Sequence, residues 1–74
     1  MLKGPHKMTL EELKRADSMD VALSLDGIAF GRGTLSFNHQ FQYGEVYINR
    51  GKVCIEFDAD CATLDGRNLN IATK

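Results

Sequence analysis

Three groups of residues in this 74-residue chain have side chains suited to chemistry. The first is His6, His39, Cys54 and Cys61, the nitrogen and sulfur donors that a transition metal takes. None of them falls at the C-x-x-C or H-x-x-x-H spacing that gathers ligands around one ion. Cys61 with His39 would make a thiol nucleophile and its base only if the fold joined two distant parts of the chain. The second group, Glu56, Asp58, Asp60 and Asp65, is the most acidic stretch. Paired carboxylates serve acid–base chemistry, and alternating acids begin calcium loops. Here the fifth loop position is Ala62 and the loop glycine is missing. A solvated strand edge whose charges discourage edge pairing is the expectation.

The third group is basic and aromatic. Arg32, Arg50, Lys52 and Arg67 all sit at or near glycines in turn-like stretches. Gly31-Arg32-Gly33 and Arg50-Gly51-Lys52 have the composition of a phosphate cradle, but neither opens a helix as a P-loop does. Together with Tyr43, Tyr47 and Phe41, these arginines are the types that stack bases and clamp phosphates. They are equally the types that dominate protein interfaces. No catalytic constellation, cofactor motif or metal motif emerges, so a non-enzymatic binding module is expected.

The elements that position these residues are legible in outline. Residues 1–8 read as a flexible arm, and 9–74 as one small domain. Thr9 and Glu12 form a capping-box signature, followed by Leu10, Leu13 and Ala16 at helical spacing, which predicts a helix over 9–18. Val21, Leu23 and Leu25 alternate inward, and Asp26-Gly27 is a strong hairpin turn that pairs Leu25 with Ile28 and Leu23 with Phe30. Inward parity then switches to Leu35 and Phe37, which predicts a bulge at Gly31-Arg32-Gly33. A strand from Phe41 carries a second parity change at Gly44. An Arg50-Gly51 turn then matches Ile48 to Val53 and sets Glu45 opposite Glu56. That like-charge pair is expected to be solvated or near an arginine. Asp65-Gly66 is a further hairpin signal, matching Ala62 to Leu69.

The fold class is therefore mainly β with one N-terminal helix: a five-stranded antiparallel meander bent into a small SH3-like or Sm-like barrel. The alternative is an open antiparallel sheet with the helix packed on one face. If one strand carries both cysteines, they stand roughly 23 Å apart and are free thiols.

Part of the sequence resembles a known family. The run Val21-Ala22-Leu23-Ser24-Leu25-Asp26-Gly27, then Arg32-Gly33-Thr34-Leu35, resembles the first conserved segment of the Sm-like proteins. Phe37-Asn38-His39-Gln40-Phe41-Gln42 falls where that family has an aromatic, an Asp and, four positions later, a base-contacting Asn. Leu64-Asp65-Gly66-Arg67-Asn68-Leu69-Asn70-Ile71 is similar to its second segment, where an Arg-Gly-Asn run precedes the last strand. Asn38 replaces the Asp, Gln42 replaces the Asn, and Gly66-Arg67 reverses the usual order. The resemblance implies an oligomeric barrel that binds RNA.

Composition narrows the function. A net charge of −1 with 43% hydrophobic residues excludes a disordered chain and a strongly basic, sequence-blind nucleic-acid binder. No apolar run approaches the roughly 18 residues of a membrane span. No apolar leader is visible at the N-terminus, so a soluble cytoplasmic protein is expected. The expected role is regulation or inhibition through a protein partner, with homo-oligomerisation open and RNA binding in the Sm-like manner as the alternative. The candidate partner-binding residues are Arg32, Asn38, His39, Gln42 and Tyr43, with Tyr47, Arg50, Lys52 and Arg67.

Overall fold

The computed structural model describes residues 6–73. The chain is mainly β with one short helix. Its strands are β1 (His6–Lys7), β2 (Asp20–Leu25), β3 (Ile28–Asn38), β4 (Tyr43–Ile48), β5 (Val53–Phe57), β6 (Ala62–Asp65) and β7 (Asn68–Ile71). Helix α1 (Leu10–Arg15) lies between β1 and β2, and a 3-10 turn at Ala59–Cys61 links β5 to β6. All seven strands form one sheet in the order β1-β6-β7-β2-β3-β4-β5.

Two features depart from a five-stranded meander. First, the arm expected over 1–8 is structured from His6 onward, where β1 pairs with β6 and Met8 is buried. Its first five residues lie outside the described ones. Second, β7 runs parallel to β2, with Leu23 beside Leu69 and Leu25 beside Ile71. The interruption at Asp58–Asp60 is thus not a bend within one strand. It is the point where the chain leaves β5, crosses by the 3-10 turn, and returns to the far side of β2. Pairing there aligns four apolar side chains on the core side of the sheet. The result is a mixed sheet, not an antiparallel one, whose end strands among the described residues are β1 and β5.

The helix follows its local signals closely. The Thr9 side chain accepts from the Glu12 N–H, and the Glu12 carboxylate accepts from the Thr9 N–H, each at 3.1 Å. Glu12 also takes a 2.6 Å hydrogen bond with His6, which with the Thr9 N–H holds its carboxyl below the usual range. Removing the cap oxygen with Thr9→Ala should cost about 1 kcal/mol of stability, read from a urea titration. The helix ends at Arg15, short of 18, because the next residues pair with β3. The Ser18 N–H donates to Leu35, the Leu35 N–H to Met19, and the Phe37 N–H to the Asp17 carboxylate. Leu13 is fully buried, whereas Leu10, expected on the same stripe, is 39% exposed.

The hairpin registers are partly as the side chains dictate. Leu25 faces Ile28, Val46 faces Ile55, and Ile48 faces Val53. The β2–β3 bulge, however, makes Phe30 the extra residue, so Leu23 pairs with Gly31. Gly31 takes φ 149°, open to glycine alone at little cost. Gly44 is no parity break: Gly44, Val46 and Ile48 all face inward, and β4 starts at Tyr43 rather than Phe41. The β6–β7 turn is Gly66-Arg67, which sets Leu64 opposite Leu69 and Ala62 opposite Ile71. That shift keeps Asp65 in the strand and gives all four apolar residues an apolar partner. Leu35, Val46, Val21, Leu69 and Leu13 form the driest part of the core.

Candidate functional site

The outward face of β3, β4 and β5 carries most of the candidate residues. Even-numbered positions of β3 after the bulge point outward, with Thr34 opposite Tyr47, Ser36 opposite Glu45 and Asn38 opposite Tyr43. At the end nearest the bulge, Arg32, Tyr47 and Arg50 line one recess of about 510 Å³ with Asp20, Thr34 and Asn49. The β4–β5 turn holds Arg50 there: Asn49, Arg50 and Gly51 all take positive φ, and the Lys52 N–H donates to the Asn49 carbonyl. Among the described residues the one ion pair is His6–Glu12, so neither recess guanidinium has a carboxylate within pairing distance.

The remaining candidates divide. Lys52 shares the turn with Arg50 but does not line the recess. Arg67 sits in the β6–β7 turn, where its carbonyl accepts from Ala22, the residue that faces Arg32 across β2–β3. Asn38, His39, Gln42 and Tyr43 lie at the other end of β3–β4, about 17 Å away along the strands. There the Asn38 side-chain Oδ1 accepts from the Phe41 N–H, the Gln42 side-chain amide donates to the His39 carbonyl, and the His39 ring meets Phe37 edge-on at 4.8 Å. These side chains shape a turn. Phe41, 64% exposed, stacks parallel to Tyr43 at 6.2 Å beside it.

Between the two ends the face is acidic rather than basic. Glu45 does lie opposite Glu56. Tyrosines, not an arginine, accommodate the pair: the Tyr47 hydroxyl donates to Glu45 at 2.8 Å and the Tyr43 hydroxyl to Glu56 at 3.0 Å. The hydrogen bond to Glu45, and then its charge, push the Tyr47 phenol up to about 12. Desolvation and then Glu56 raise Tyr43 as well. Both groups favour the neutral phenol in the folded state. The stabilisation from Tyr47 is complete below the ordinary value of 10 and is lost as pH rises through about 12. A phenolate absorbance titration should show Tyr47 ionising late, and Glu45→Gln should return it towards 10.

The cysteines are free, with Cys54 exposed and Cys61 half-buried. Burial and then the Glu45 charge raise the Cys54 thiol, which lowers its thiolate fraction. Cys61 lines a groove to which His39 does not contribute. Asp58, Asp60 and Cys61 offer two carboxylates and a thiol with ligand atoms within 4.8 Å of one another.

That groove, about 380 Å³, is the feature sequence reasoning missed. It is walled by Ile55 and Phe57 of β5 on one side and by Leu25, Ile71 and Ala72 on the other. Three strands separate β5 from β7 in the sheet, so one groove bordered by both requires the sheet to curl. Its apolar residues read as ordinary core positions, and only the β2–β7 pairing turns them into a seam. No helix among the described residues is long and apolar enough to cross a membrane. Comparison with known protein families, with curated proteins and with solved structures finds no match.

Proposed function

We propose that this protein is a non-enzymatic binding module, a cytoplasmic regulator or inhibitor that docks a protein partner at the Arg32–Tyr47–Arg50 recess. The observation that carries the reading is the convergence there of two guanidiniums, neither paired with a carboxylate, and a tyrosine from β3, β4 and a tight turn. An unpaired guanidinium presents a fork that matches a partner's carboxylate, and Tyr and Arg are the residues on which interface energy concentrates. Free Cys54 and Cys61 suit a reducing compartment. Affinity capture with the wild-type chain and with Arg32→Glu/Arg50→Glu tests the role. Partners retained by the first and lost by the second support it. A strict monomer that retains no protein sinks it.

A second reading, an Sm-like oligomeric RNA-binding protein, is favoured by one arrangement. The exposed Phe41–Tyr43 stack offers a platform for bases beside His39. It requires a ring-sized native mass and a salt-sensitive mobility shift of single-stranded RNA. A monomer that leaves RNA unshifted removes it.

A further inference from the structure

We propose that the free edge of β5 and the groove beside it take an extended segment of a partner protein, alternating apolar and basic residues, as an added strand. This surface is separate from the Arg32–Arg50 recess and does not depend on it. Among the described residues β5 is an end strand, so one row of its backbone donors and acceptors has no sheet partner there. Protected edges carry charges, lysine above all, proline or a bulge. Val53-Cys54-Ile55-Glu56-Phe57 has no lysine, proline or bulge and pairs with β4 without a register shift, and its single charge, Glu56, discourages partners that are not basic opposite it.

The groove sets the pattern of the incoming strand. Ile55 and Phe57 face it and Glu56 alternates with them, so residues added opposite Ile55 and Phe57 meet Leu25, Ile71 and Ala72. These must be apolar. Ile28, 72% exposed and cross-strand from Leu25, extends the apolar surface at the mouth. The residue between them comes to lie opposite Glu56, with Glu45 on the next strand behind it. Opposite charges pair favourably at that position, and Asp58 lines the same groove while, among the described residues, no Lys or Arg does. A second copy paired antiparallel about Ile55 would set Cys54, not a cation, opposite Glu56, with Lys52 opposite Asp58. Strand addition of this kind draws affinity from the backbone and specificity from alternate side chains.

Fluorescence anisotropy of the full chain with labelled peptides tests it. A short peptide alternating valine and lysine should bind. A valine–glutamate version, and a valine–lysine version N-methylated on its edge-facing amides, should bind at least about tenfold more weakly. Glu56→Lys should reverse the charge preference, with circular dichroism verifying its fold; the N-methyl comparison stands on the wild-type chain. Arg32→Glu/Arg50→Glu should leave peptide binding unchanged, which separates this surface from the recess. Equal binding of both charge types, indifference to N-methylation, or a concentration-dependent dimer that blocks the peptide would overturn it.

Discussion

Gly44→Val is expected to lower the unfolding free energy by about 3 kcal/mol or more, at the upper end of what overpacking costs. A Cβ at Gly44 would stand 2.5 and 2.8 Å from two atoms of the Phe57 ring and 3.0 Å from a Leu13 methyl. Leu13 is fully buried and cannot retreat, and Phe57, 6% exposed, could give way only by turning into the β5 groove. A domain of this size holds on the order of 4–11 kcal/mol in total. At roughly 4–8 °C per kcal/mol, its melting temperature should fall by about 12–24 °C. Gly44→Ala should cost less, about 1–3 kcal/mol. Thermal melts followed by circular dichroism decide the matter. A valine variant melting within a few degrees of wild type would show that the ring swings aside.

Gly44 also shows where the sequence stops being readable. Glycine between Tyr43 and Val46 looks like a break in alternation, because nothing in the pattern says that a ring from another strand fills its side-chain space. Two hairpin signals carried through, Asp26-Gly27 and Arg50-Gly51 setting Leu25 against Ile28 and Ile48 against Val53, while Asp65-Gly66 gave way to a Gly66-Arg67 turn and a bulge moved Leu23 from Phe30 to Gly31. Thr9 and Glu12 cap the helix as their spacing demands. Pairing between distant strands did not carry through. Leu69 beside Leu23 depends on a chain reversal at Asp58–Cys61, and alternation within β7 suits an antiparallel neighbour as well as a parallel one. The site divides the same way. Arg32, Tyr47 and Arg50 converge because the β3–β4–β5 registers are local. Asn38, His39 and Gln42 go to shaping a turn, and the seam beside β5 is invisible until β7 reaches β2.

Phe57→Ala is the other substitution with a large expected effect, about 3–5 kcal/mol. The ring closes over Gly44 on one side and forms a wall of the β5 groove on the other. Its loss therefore merges a core cavity with the groove. Because the merged space opens to solvent, the lower part of that range is the expectation, and urea denaturation should place it near 3 kcal/mol. The ring's two roles separate in a double-mutant cycle. Phe57→Leu removes the ring atoms that a Gly44 Cβ would meet, so Gly44→Ala should cost less in that background, with a coupling of about 0.5–3 kcal/mol. Zero coupling would mean that Leu13, not Phe57, resists the added methyl. Since the leucine variant keeps an apolar groove wall, it should still bind the valine–lysine peptide, whereas the merged cavity of Phe57→Ala should favour a larger apolar residue opposite it. A shift in preference from valine to phenylalanine in the peptide, seen in Phe57→Ala and absent in Phe57→Leu, would tie the core residue directly to the recognition surface.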